Sequence, residues 1–123
     1  MTARIDSVGV IGGGAWGTAL AQTLRLAGRR VTLWAREPET AEEINTRHVN
    51  SVFLPGVGLD HQLTATGSLA EVAAADALLM VAPAQHVRAI AMDLAAHVRP
   101  GQPLVNCAKG IERTTGKLIG DVL

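Results

Sequence analysis

The sequence predicts an α/β fold, a doubly wound parallel sheet, and three observations carry that prediction. Short apolar, β-branched runs alternate with longer segments of helical period, the pattern of βαβ units. The first run leads at once into Gly12-Gly13-Gly14 at the head of an amphipathic stretch. The chain is 123 residues long, enough for one self-supporting core and little more, so residues 1–123 are read as a single domain.

Taken in order, residues 5–11 form the first strand. In residues 15–27, Trp16, Leu20, Leu24 and Ala27 recur at helical spacing, and Gly28 supplies a left-handed stop. A second strand over 31–34 leads through Arg36 to Pro38, which suits the first turn of a helix carrying Ala41 and Ile44. Residues 47–60 have no clear period. A short strand around Leu63 and Ala65 precedes Ser68-Leu69-Ala70-Glu71, which has capping-box spacing for a third helix. Residues 77–81 read as a strand buried on both faces. Val87, Ile90, Ala91, Leu94, Ala95 and Val98 mark a fourth helix closed by Pro100-Gly101, and a fifth strand follows over 104–107. Leu118, Ile119 and Val122 lie on one side of a further helix beginning near Thr115. Right-handed crossovers then give the strand order 3-2-1-4-5, with the ligand crevice outside the carboxyl ends of strands one and four.

Composition narrows the function classes. Eleven Lys+Arg balance eleven Asp+Glu and no basic run stands out, so neither nucleic acid nor an anionic membrane surface is an expected partner. A single cysteine cannot close an internal disulfide, which fits a reducing cytoplasm. Arg4 and Asp6 precede only a short apolar run, so neither a signal peptide nor a membrane-spanning segment is expected.

Three segments fall just after strands, where ligand-binding residues belong. Gly12, Gly14 and Gly17 form G-x-G-x-x-G between a strand and a helix, the context in which this spacing denotes dinucleotide binding. Gly12 permits the tight turn, Gly14 lets backbone N–H groups approach a pyrophosphate, and Gly17 lets the helix pack closely on the strand. After the second strand the residues read Trp34-Ala35-Arg36-Glu37. A guanidinium there pairs with a 2′-phosphate in a forked geometry and favours NADP, while Glu37 is the carboxylate available to NAD; the alternative is a solvated Arg36 beside Glu37 and Glu39. Lys109 follows the fifth strand, placed to hold an anionic substrate or polarise a carbonyl oxygen; the alternative, which position alone favours, is a solvated lysine. Cys107 reads as a small core hydrophobe. His48, His61, His86 and His97 lack metal-ligand spacing, so no metal site is expected. His86 reads as helix-start surface, the alternative being a place in the lining of the cofactor crevice; Trp34 reads as core, and Trp16 either as a cover over the cofactor or as core against Leu20.

Four segments carry a resemblance. These are the run from Val10 through Gly12, Gly14, Ala15, Trp16 and Gly17 to Leu20; Asn50-Ser51-Val52-Phe53-Leu54-Pro55-Gly56; Val81-Ala82-Pro83-Ala84-Gln85; and Cys107-Ala108-Lys109-Gly110-Ile111-Glu112. Together they resemble the N-terminal, Rossmann-type domain of the soluble, bacterial-type NAD(P)-dependent glycerol-3-phosphate dehydrogenases. The Phe-Leu-Pro-Gly and Ala-Lys-Gly-Ile-Glu segments give the likeness its specificity. The resemblance implies cofactor contacts from Gly12, Gly14, Ala15, Trp16 and Gly17, from Arg36 at the adenosine ribose, and from Pro83 and its turn beside the nicotinamide. It also implies that Lys109 touches both substrate and cofactor. The implied reaction is reversible hydride transfer between glycerol 3-phosphate and dihydroxyacetone phosphate with NADP or NAD, serving phospholipid synthesis in a cytoplasmic homodimer. Family members add a helical C-terminal domain that carries the general-base lysine. The chain is therefore read as a fragment without a catalytic residue of its own, unable to turn over alone. Ala15 and Ala84 replace the polar residues common at these positions, which leaves backbone contacts there. Two other readings stand beside this one: the cofactor domain of another dehydrogenase of the superfamily, such as a ketoacid reductase or sugar-acid dehydrogenase, and a non-catalytic dinucleotide-sensing module.

Overall fold

The computed structural model describes residues 5–107. Strands β1 (Ser7–Ile11), β2 (Arg30–Trp34), β3 (Thr64–Thr66), β4 (Ala77–Met80) and β5 (Leu104–Asn106) alternate with helices α1 (Ala15–Leu26), α2 (Pro38–Arg47), α3 (Leu69–Val72) and α4 (Ala84–Leu94). The strands form one parallel sheet in the order β3-β2-β1-β4-β5, as the crossover rule predicts. The helix expected from Thr115 onward lies outside the described residues.

The period-2 alternation of the strands sends side chains to two separate cores. Val8, Val10, Val31 and Leu33 pack with Ala21, Ala41 and Ile44 under α1 and α2. Ile11, Leu78 and Met80 pack with Val72, Val87, Ile90 and Leu94 under α3 and α4. The sheet is thus covered on both faces, as an all-parallel sheet requires.

The helix ends follow local chemistry. Gly28, with φ +88°, stops the chain after α1. The Ser68 hydroxyl accepts the Glu71 amide hydrogen at 3.3 Å and caps α3. The fourth helix ends at Leu94 rather than near Pro100. There the chain tightens, with His97 N–H reaching the Leu94 carbonyl at 2.8 Å, and this turn still delivers Val98 onto the core. The edge strand β3 is tied from outside by Asn45, whose Nδ2 donates to the Ala65 carbonyl and whose Oδ1 accepts the Ala65 amide hydrogen, both at 2.8 Å.

At the amino ends of β1 and β4, the Asp76 carboxylate accepts the amide hydrogens of Asp6 at 2.8 Å and Ser7 at 3.1 Å. The Asp6 amide first, then that of Ser7, hold this carboxyl below its ordinary value of 3.8 against the opposing effect of desolvation. A carboxylate with a depressed folded-state pKa stabilises the fold fully above its unfolded value and loses that contribution as pH falls through the folded one. Asp76→Asn is therefore expected to lower the urea midpoint at pH 7 and to flatten the decline that the unaltered protein shows below pH 3.8. Identical midpoints at pH 7 would refute this.

Candidate functional site

β1 ends at Ile11, and the chain enters α1 through residues 12–14. Gly12 holds φ +137°, and a Cβ there would lie 2.9 Å from both the Ala82 nitrogen and the Val81 carbonyl carbon. A side chain at Gly17 would fall on the Gly12 carbonyl oxygen, so the first turn of α1 rests directly against the end of β1. Gly14 is the opposite case: a Cβ built there meets nothing within 4 Å. It is the N-cap of α1, and its carbonyl takes the first helical bond from Thr18 N–H at 3.0 Å. The amides of Ala15, Trp16 and Gly17 precede that bond and have no partner within the helix. No acidic side chain stands in this first turn. The positive end of α1 therefore meets open space, as an anion-binding loop requires.

That space is a cleft of about 300 Å³ at the carboxyl ends of the strands. The glycine loop forms its floor. Arg36 and Glu37 come from the turn after β2, Val81, Ala82 and Pro83 from the turn after β4, and His86 and Ile90 from α4. A larger hollow of about 460 Å³ lies at the opposite end of the sheet, among Ser7, Arg30 and Thr64. It has no glycine loop and faces the amino ends of the strands, so crevice geometry favours the smaller one.

Most of the expected residues converge. Gly12, Gly14, Ala15, Trp16, Gly17, Arg36 and Pro83 all line the cleft. Trp16 is 60% exposed, which decides between its two readings: it stands over the cleft instead of packing in the core. Lys109 lies outside the described residues. Among the described residues, no three His, Cys, Asp or Glu side chains gather as a metal-ligand set, and no helix is long and apolar enough to cross a membrane.

Of the two readings of His86 the structure favours the crevice: the ring is half-buried in the cleft, with Arg36 Nη1 2.7 Å from its Nε2 and 3.1 Å from its Nδ1. Trp34, read as core, is only partly so. It packs on the α3–α4 side, lines the cleft, and donates its indole N–H to the Gly67 carbonyl at 3.0 Å.

One supporting residue enters the sequence reading only within the segment from Asn50 to Gly56, with no role of its own. Asn50, in the aperiodic stretch, is fully buried. Its Nδ2 donates to the Gly13 carbonyl at 2.9 Å and to the Thr18 hydroxyl at 2.8 Å, while Oδ1 accepts the Phe53 amide hydrogen at 3.3 Å. The aperiodic segment thus clamps the glycine loop and brings Phe53 to the cleft wall. A buried polar residue in a segment without period is visible only once its partners are in place.

The family model described as NAD-dependent glycerol-3-phosphate dehydrogenase N-terminus matches residues 7–123. The chain belongs to this family. It is 62% identical over 119 residues to a glycerol-3-phosphate dehydrogenase (NAD(P)+) of Paramagnetospirillum magneticum, covering 97% of this chain and 43% of that protein. It is 54% identical over 123 residues to the protein of the same name from Parvibaculum lavamentivorans, covering 100% and 37%. The chain thus spans less than half the length of either relative. The crystal structure of glycerol-3-phosphate dehydrogenase from Coxiella burnetii shares the fold, with a TM-score of 0.88 at 24% identity over 96% of this chain and 36% of that one.

Proposed function

We propose that the chain is the NAD(P)-binding domain of an enzyme that interconverts glycerol 3-phosphate and dihydroxyacetone phosphate. One observation carries the reading: the unpartnered first turn of α1 opens on space at Gly14, while Gly17 is locked against Gly12. That cradle fits a pyrophosphate, whose oxygens the amides of Ala15, Trp16 and Gly17 would hold. Arg36 would take the ribose end of the adenosine, and the turn at Pro83 would border the nicotinamide half. When bound, the nicotinamide supplies or accepts the hydride at C2 of the substrate.

On this reading Lys109 contacts both cofactor and substrate, and its ammonium lowers the cost of negative charge on the reacting oxygen. The proton at that oxygen is handled by a general-base lysine of a helical C-terminal domain, so the 123 residues alone show no turnover. The full-length protein works in the cytoplasm as a homodimer, without nucleic acid or a membrane segment, and feeds phospholipid synthesis. The balanced charge of the chain supports the soluble, small-molecule side of this proposal.

The test is the full-length protein with dihydroxyacetone phosphate and either reduced cofactor. Oxidation of NADPH and NADH is expected. Arg36→Asp is expected to move the ratio of kcat/KM for NADPH over NADH toward NADH by roughly 10- to 100-fold, the worth of one or two charge-assisted hydrogen bonds. No turnover with either cofactor would sink the reading, and an unchanged ratio would remove Arg36 from it.

A further inference from the structure

We propose that Asn50 is a positioning residue for the pyrophosphate, one that locks the peptide between Gly13 and Gly14 with its N–H, and not its carbonyl, toward the cleft. The proposal rests on the reading of the cleft as an NAD(P) site. It starts from the direction of one carbonyl. Gly13 is buried, and its oxygen is held from inside the protein by Asn50 Nδ2 at 2.9 Å and by the Thr18 hydroxyl at 3.4 Å. The partners fix which end of the Asn50 amide lies where. The Phe53 N–H can only donate, so it meets Oδ1 at 3.3 Å, and the Gly13 carbonyl can only accept, so it meets Nδ2.

In a trans peptide the C=O and the N–H point in opposite directions within one plane, and the described residues contain no cis peptide bond. The inward Gly13 carbonyl therefore turns the Gly14 N–H outward, where Gly14 is exposed and lines the cleft. One more amide thus joins those of Ala15, Trp16 and Gly17 in facing an anion.

The local chain does not hold this plane by itself. It swings on ψ of Gly13 and φ of Gly14, and glycine is the residue least restricted in both. A half-turn would set a carbonyl oxygen against the phosphates in place of a donor. The glycines that let a ligand approach also leave the loop free to turn, and Asn50 removes that freedom.

Asn50 is itself firmly seated. It is fully buried, its Nδ2 also donates to the Thr18 hydroxyl at 2.8 Å, and its carbonyl accepts the Leu54 amide hydrogen at 2.8 Å. Next to it, the Glu43 carboxylate of α2 accepts the Ser51 amide hydrogen at 2.8 Å and the Ser51 hydroxyl hydrogen at 2.6 Å. The loop is therefore ordered before a ligand arrives, and binding does not bear that cost.

The test is titration of the full-length protein with NADPH, NADH and adenosine, for the unaltered protein, Asn50→Ala, Thr18→Val and Thr18→Ser. Adenosine occupies the ribose end of the cleft and carries no pyrophosphate. Asn50→Ala is expected to weaken NADPH and NADH by one common factor, roughly 10- to 100-fold, the worth of a hydrogen bond to a charged group, and to leave adenosine as it was. Thr18→Val is expected to weaken both dinucleotides in common by about 3- to 10-fold, while Thr18→Ser, which keeps the hydroxyl, binds as the unaltered protein does. Unchanged dinucleotide affinity in Asn50→Ala, or in Thr18→Val where Asn50→Ala does not fold, overturns the lock and leaves the cleft assignment standing. A parallel loss of adenosine shows a clamp that serves only the fold, and overturns the proposal as well. Failure of the unaltered protein to bind either dinucleotide overturns the cleft assignment, and the proposal with it.

Discussion

Alanine at position 17 is expected to abolish measurable NADPH and NADH binding, a loss of more than about 100-fold, and to lower Tm by roughly 5–15 °C. The residue sits in a helix, where alanine is intrinsically better than glycine by about 1 kcal/mol, so propensity alone predicts the opposite sign. Packing decides the outcome. The new methyl would fall on the Gly12 carbonyl oxygen, backbone that cannot turn aside as a side chain does. To admit it, α1 must lift off the end of β1, which costs about 1–3 kcal/mol or more in a close-packed interior. The same lift moves the first-turn amides away from the cleft they face.

Gly14→Ala is the control, because its Cβ meets no protein atom within 4 Å. It should melt with the unaltered protein and still bind more weakly, since the methyl fills space a ligand needs. Calorimetry and thermal melts on the three proteins separate the two effects. Normal binding and an unshifted Tm for Gly17→Ala would show that the glycine loop does not act as described.

Asn50→Asp is expected to destabilise the fold by about 3 kcal/mol at pH 7, a large effect for an isosteric change. The amide nitrogen of Asn50 donates to two oxygens, those of Gly13 and Thr18, inside the protein. A carboxylate donates to neither and sets its charge against a carbonyl oxygen. Taking up a proton restores one of the two bonds, so the folded-state pKa of the new carboxyl rises above its unfolded value of about 3.9. A raised folded pKa makes the variant relatively more stable at low pH and progressively less so as pH rises through that value. Urea midpoints at pH 5 and pH 7, each compared with the unaltered protein at the same pH, should show a larger deficit at pH 7. A deficit that is absent at pH 7, or larger at pH 5, would contradict the hydrogen-bond pattern at Asn50.

The parts of this fold that sequence reveals are those whose physics is local. The short apolar runs that hold Val8, Val10, Val31 and Leu33 declare the first two strands, and the handedness of crossovers orders the sheet. Gly12 and Gly17 are legible because their backbone demands can be met by so few residues. Asn50 is not, because its partners lie 37 and 32 positions away and the segment between is read only through tertiary packing. His86 falls between these cases. Its meeting with Arg36 follows from β2 and β4 flanking β1, which brings the turns after both strands to one crevice, yet which side chains touch there depends on their rotamers.

Asn45 has a consequence for how copies of this chain can meet. In the three-residue strand β3, Thr66 turns its carbonyl inward to Ala35 N–H, while Ala65 turns its amide and carbonyl outward, and both are already engaged by one side-chain amide. An incoming strand would find that margin of the sheet capped, with neither a donor nor an acceptor at Ala65 to zip onto. Backbone-to-backbone addition is thereby closed at Ala65 on the β3 side.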